Sequence, residues 1–359
     1  MANHSEYIPI FRSNLPRPEY WLKYLEPAYE TSKFSNFGEA SHELERRVAD
    51  FLQIDSSTVV TCVNATQALT GAVSTAEKND YEWTIPSWTF TATASAMFSA
   101  NKSFYFSDID DEWRIKPSNR NVNLIDVLPF GAGIDTNRFE VLCDGEIVID
   151  AAASFDALRY SKISELKKRF GLVISFHPTK FPAGPEGAVF ISNDHSWVEK
   201  FRLWTIFGMD EKRTSFFPGT NAKMNEFSAA VILASLDKYF PDRDSLIQSS
   251  KRALDLSHEF GFDVNESIQN SFASPYWIVK KSNEQIGIIE EIFQSDLIAT
   301  RRWWMYGCHA MEAYKEIKKS NLSKTSEAAN SSIGLPMFIG MSEEHWGRIE
   351  KAFRKIASK

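Results

Sequence analysis

The sequence predicts an α/β fold: a mostly parallel central sheet in a large domain, covered by helices on both faces, and a smaller C-terminal α/β domain. Three observations carry this. Short apolar runs of strand length alternate with helical patterns from residue 58 onward. The runs are continuously apolar, as strands buried on both faces require. The residues able to do chemistry cluster just after these runs, where open α/β sheets bind their ligands.

The first 35 residues hold prolines and aromatics with little periodicity and read as an ordered arm. From Glu39, Leu44, Val48, Phe51 and Leu52 recur at helical spacing. TVVTC (Thr58 to Cys62) reads as a buried strand, with a helix starting near Thr66. YEWTIP precedes a helix over Thr89 to Ala100, and SFYFSDI, NLIDVL, EIVIDA, GLVISF and GAVFIS read as further strands. After Phe240-Pro241 long helical patterns surround one extended run, Ala273 to Lys280. The chain therefore divides into an arm (1–35), a large domain (36–240) and a small domain (241–359).

With 40 basic and 47 acidic residues, a net charge of −7 and no long basic run, nucleic acid and anionic membrane are poor partners. No apolar stretch is long enough to cross a bilayer. The start lacks a signal-peptide pattern, so a cytoplasmic location is expected. Three scattered cysteines and unpaired histidines suggest neither a disulfide framework nor a metal site. The Lys167-Lys168-Arg169 cluster reads as solvated surface.

Four segments follow predicted strands. In Val63 to Leu69, small residues turn a strand into a helix whose first N–H groups can hold a phosphate. Asp150 ends EIVID and precedes three alanines; a carboxylate there can approach a ligand ring and keep a ring nitrogen protonated. Ser175-Phe176-His177-Pro178-Thr179-Lys180 follows GLVIS, and a lysine at a strand end can form an imine with an aldehyde cofactor. Pro218 to Glu226 leads into the apolar helix FSAAVILASL.

In order and spacing these segments resemble the DegT/DnrJ/EryC1/StrS sugar aminotransferases, fold-type I enzymes that use pyridoxal phosphate. The resemblance rests on Asn64-Ala65-Thr66-Gln67-Ala68-Leu69, on Pro86 to Thr93 (PSWTFTAT), on Asp150-Ala151-Ala152, on Ser175 to Lys180, and on Gly219 to Ala230 with Lys223 in place of arginine. It is closest to the enzymes forming dTDP-4-amino-4,6-dideoxyglucose. It implies that Lys180 holds pyridoxal phosphate as an internal aldimine, and that pyridoxamine phosphate is the intermediate cofactor form. Asp150 would pair with the pyridine nitrogen, and Phe90 would stack on the ring. Ala65, Thr66 and Ser175 would bind the phosphate. Asn221 would reach the neighbouring subunit's phosphate, making a homodimer the working unit.

Thr300-Arg301-Arg302 and the following Trp303-Trp304 lie where this family meets its substrate, with Arg301 and His309 as candidate contacts. Two departures stand out. Ala153 replaces the usual Gln or His, and Pro185-Glu186-Gly187-Ala188 replaces the usual GEGG. Lys180 argues against the dehydrating branch, which has histidine there. The implied activity is amination of a nucleotide-linked keto-deoxysugar, in the first instance C4 of dTDP-4-keto-6-deoxyglucose with glutamate as donor. C3 amination, a GDP-linked perosamine-type substrate, an amino-acid lyase and a non-catalytic sensor of the same fold are the alternatives. The products would suit surface polysaccharide or O-antigen synthesis.

Overall fold

Each apolar run read as a strand in the first 200 residues forms one in the computed structural model, which describes residues 7–77, 80–265 and 272–358. The strands are β1 (Val59–Cys62), β2 (Trp83–Pro86), β3 (Phe104–Ile109), β4 (Ile115–Lys116), β5 (Asn123–Val127), β6 (Ile147–Asp150), β7 (Gly171–Ser175) and β8 (Ala188–Ser192). They make one sheet in the order β1-β8-β7-β6-β5-β2-β3-β4. Pairings β3–β2, β2–β5, β5–β6 and β6–β7 are parallel, while β8 runs antiparallel to both β7 and β1. Alternate residues serve opposite faces. Ile147 and Ile149 of β6 enter one apolar cluster and Val148 the other; Leu172 and Ile174 of β7 oppose Val173 in the same way.

Helix Glu39–Leu52 buries Leu44, Val48 and Leu52 against this sheet's first cluster. Its first N–H groups are satisfied by the fully buried Glu226, whose Oε2 accepts from Ala40 N at 2.7 Å. Glu226 opens helix Glu226–Asp237, which is apolar nearly all round and correspondingly buried.

A second sheet has three antiparallel strands, β9 (Asp263–Val264), β10 (Trp277–Lys280) and β11 (Ser332–Leu335), in the order β11-β10-β9. Strand β10 is shorter than the extended run suggested. Pro275 offers no N–H to a ladder, and the residues before it bond elsewhere: Ala273 N to Asp156 Oδ2 at 2.7 Å and Ser274 Oγ to the Phe130 carbonyl at 2.6 Å. Residues 273–276 therefore lie against the large sheet's loops. The arm is held here too. Ile8 bonds through its backbone to Leu297 and Ala299 and joins the apolar cluster of the second sheet.

The cluster at residues 167–169 is not freely solvated. Arg169 lies 4.1 Å over the Trp197 ring, bonds Asp194 at 2.5 Å and pairs with Glu146, while Lys168 donates to the Cys143 carbonyl. Apolar ring and carboxylates together draw the guanidinium inward.

One ion pair braces the loop after β5. Arg114 and Asp126 are both nearly buried and meet at 2.5 Å and 3.3 Å, and Arg114 Nη1 also donates to the Gly133 carbonyl at 3.0 Å. Arg114→Met strands a buried carboxylate, so chemical denaturation should show a loss of about 3–5 kcal/mol. Arg114→Met/Asp126→Leu should recover a large part of it.

Candidate active site

The ends of five strands converge on one cavity of about 520 Å³. Its wall takes Asn64, Ala65 and Thr66 from the turn after β1, Thr89 and Phe90 after β2, and Leu128 to Phe130 after β5. Asp150, Ala152 and Ala153 come from the end of β6, and Ser175, His177, Thr179 and Lys180 from the loop after β7. All five strands point the same way, because β8 reverses direction between β7 and β1. Leu335 of the second sheet closes the other side together with Tyr276, which precedes β10, and Arg301, Trp303 and Trp304 from a segment bridged to β11 at Gly334, and the arm adds Ile10 and Phe11.

Asn64 caps helix Ala65–Thr75: its Oδ1 accepts from Gln67 N at 2.9 Å. The N–H groups of Ala65 and Thr66 belong to the same first turn and have no carbonyl of their own helix to meet. They line the edge of the cavity, where such donors can meet an anion. Ser175 closes β7 nearby in sequence to Lys180, its Oγ accepting from His177 N at 3.2 Å.

Asp150 is buried, with 7% of its surface exposed. Its Oδ2 accepts from Thr93 Oγ1 at 2.9 Å and its Oδ1 from Ala152 N at 3.2 Å. Thr93 is in turn 3.1 Å from Thr89 Oγ1. Burial pushes the carboxyl above the ordinary carboxylate value, against the opposing pull of Thr93, Ala152 and the Lys180 charge. Among the described residues no cation bonds it directly, so an added cationic group in the cavity would be strongly favoured.

Lys180 is set by a turn in which its N–H meets the His177 carbonyl at 2.8 Å. Its Nζ donates to the Tyr276 hydroxyl at 2.8 Å. Tyr276 escaped the sequence reading, as did Phe130 and the arm residues, because each reaches the cavity from an element with no chemical motif of its own.

The remaining expected residues divide. Phe90 lines the cavity with 63% of its surface exposed. Arg301 lines it with its guanidinium 4.9 Å over the Trp303 ring. Asn221 is exposed, lies outside the cavity lining and bonds Lys223 at 2.5 Å. His309 also lies outside the lining. Its Nδ1 sits 2.7 Å from Ser87 Oγ, and burial, followed by the Lys319 charge, lowers its pKa. The imidazole is half-buried and engaged with a neighbouring hydroxyl.

The model of the DegT/DnrJ/EryC1/StrS aminotransferase family matches residues 19–354. The chain belongs to that family. It is a family of aminotransferases, with PLP-dependent members among the solved neighbours; the chain spans just under two thirds of the length of the first curated relatives it matches. A relative from Shigella dysenteriae, described as dTDP-4-amino-4,6-dideoxy-D-glucose transaminase, is 28% identical over 249 residues, covering 64% of this chain and 65% of that one. A relative of the same description from Escherichia coli is 22% identical over 96% of this chain and 97% of its own. Among solved structures, a PLP-dependent aminotransferase of Bacillus cereus superposes with a TM-score of 0.87 at 21% identity, covering 97% of this chain and 100% of that one. DesI, solved with its TDP-sugar product, gives 0.86 at 24%, covering 99% and 94%. At these identities the two structures establish the fold.

The family's cofactor fits the residues present. The cavity has the volume of a small-molecule site, with an anion site at the helix start, a lysine, and a buried carboxylate that lacks a cation.

Two predictions follow from this geometry. Asp150→Asn removes the cost of burying a charge while Thr93 can rotate to accept from the new amide. Because burial raises the Asp150 pKa, folding loses stability as pH rises above the ordinary value of 3.8. The cofactor-free variant should therefore be more stable than the parent at pH 8, by thermal melting, with the gap closing toward pH 3.8, while affinity for pyridoxal phosphate falls. Gly334→Ala tests the far wall. A Cβ there would lie 2.2 Å from Trp303 Nε1, and that indole touches Tyr276 and Phe130. Overpacking of about 1–3 kcal/mol is expected in denaturation, with a shifted tryptophan emission.

Proposed function

We propose that this chain transfers an amino group to the keto carbon of a nucleotide-linked 6-deoxysugar, with dTDP-4-keto-6-deoxyglucose as acceptor, C4 as the carbon aminated and glutamate as donor. The observation that carries the reading is the meeting of Lys180 and Asp150 in one cavity whose edge holds the helix-start anion site. The description shared by the Shigella and Escherichia relatives supports the sugar assignment.

In this reading the N–H groups of Ala65 and Thr66 and the Ser175 hydroxyl hold the cofactor's phosphate. Asp150 faces the pyridine nitrogen and Phe90 covers the ring. When bound, pyridoxal phosphate supplies an aldehyde that carries the amino group and a ring that accepts the electron pair released at the donor's α-carbon. The Asp150 carboxylate keeps positive charge on the ring nitrogen, in a site where burial strengthens that interaction. Lys180 Nζ would be the base that takes the donor's α-proton and the acid that delivers it to the cofactor's aldehyde carbon. Phe130, Trp303, Trp304 and Tyr276 keep water from that side and offer flat apolar faces to a sugar ring. Arg301 is the cation available to a diphosphate. A homodimer, with Asn221 supplied to the partner's phosphate, accounts for that residue's exposure outside its own cavity.

Purified protein loaded with pyridoxal phosphate should show a visible absorbance band that borohydride fixes onto Lys180 and that Lys180→Ala lacks. Glutamate should bleach the band once, stoichiometrically, and dTDP-4-keto-6-deoxyglucose should restore it. Restoration only by a 3-keto or GDP-linked sugar would reassign the substrate. Continuous turnover of glutamate without acceptor would indicate a lyase, and absence of any band would overturn the enzyme reading.

A further inference from the structure

We propose that Tyr276 is a positioning residue for Lys180, holding its Nζ in the orientation from which it captures the cofactor aldehyde. The inference rests on the functional reading above and adds a residue to it. Lys180 Nζ meets the Tyr276 hydroxyl at 2.8 Å, and among the described residues this is the side-chain hydrogen bond of that amine. Ala152 and Ala153 on the neighbouring wall carry no polar side chain.

The hydroxyl is itself fixed. Tyr276 is 8% exposed, with its ring 5.3 Å from Trp303 and 5.6 Å from Phe130. Pro275 stiffens the backbone before it, and Ser274 ties that backbone to the Phe130 carbonyl. A lysine side chain has about 2 kcal/mol of rotamer entropy to lose before it can react. A rigid partner at Nζ selects one arrangement in advance, which is how positioning lowers a barrier.

A hydroxyl suits this task better than a carboxylate would. A carboxylate at 2.8 Å would hold the amine in its charged, non-nucleophilic form. The tyrosine oxygen accepts an N–H from the ammonium and equally from the uncharged amine. In the second case the nitrogen lone pair stays free to face the cavity. The residue thus orients Nζ without withholding the lone pair.

Tyr276→Phe keeps the ring and its contacts and removes only the oxygen. The full-length protein, freed of cofactor, is mixed with pyridoxal phosphate. The Lys180 adduct is trapped with borohydride at timed intervals and quantified by peptide mass spectrometry. Capture should be about fivefold to tenfold slower in the variant, the size expected of one hydrogen bond to a charged group. Affinity for pyridoxamine phosphate, which forms no bond to the lysine, should be unchanged within twofold. Capture at the parent rate would overturn the proposal. An equal loss of pyridoxamine phosphate affinity would also overturn it, since the hydroxyl would then serve the shape of the cavity. If the parent itself forms no adduct at Lys180, the functional reading fails together with the proposal.

Discussion

A carboxylate buried without a directly bonded cation is the constraint around which this active site is organised. Asp150 ends a central strand and receives only a threonine hydroxyl and one backbone N–H. Burying a charge on those terms is costly, and the raised pKa expresses that cost. In the reading proposed above, a protonated ring nitrogen would recover that cost, so the free protein's strain and the cofactor's activation would be one interaction seen in two states. Thr89, in the turn after β2, supports it at second hand by holding Thr93.

The sheet supplies chemistry on one side only. Parallel strands deliver the start of helix Ala65–Thr75, the carboxylate and the lysine along one edge, but a cavity needs a far wall. That wall comes from residues distant in sequence: the Trp304 ring stacks on Phe130 at 4.7 Å and 11°, and Trp88 packs edge-on against both. Phe130 sits in a left-handed conformation with φ of 52°, and the Arg114–Asp126 pair braces the segment that follows. The aromatic wall of the cavity therefore depends on a buried ion pair in the large sheet as well as on the segment that carries Trp303 and Trp304.

The strands and the chemical residues were readable in the sequence because both leave local marks. A strand buried on two faces must be continuously apolar, and residues of a cofactor site must sit at strand ends. Lys180, Asp150, Ala65, Thr66 and Ser175 met both conditions, and the cavity brings them together. Tyr276 did not, because the run from Ala273 looks extended and its interruption comes from distant bonds to Asp156 and Phe130. His309 is placed differently. It lies in a segment rich in cations and aromatics, yet its ring turns to Ser87. The arm's Ile10 and Phe11 had no periodicity to mark them; backbone pairing of Ile8 with the segment near Leu297 carries them to the cavity.

The most direct test of the central claim compares binding of pyridoxal phosphate with that of its 1-deaza analogue, in which a C–H replaces the ring nitrogen. Aldehyde and phosphate are identical in the two, so equilibrium titration isolates the Asp150 interaction. The account predicts at least about tenfold weaker binding of the analogue, with the difference largely gone in Asp150→Asn. Equal affinities in the parent protein would show that the buried carboxylate does not pair with the ring, and the account of the site would be wrong.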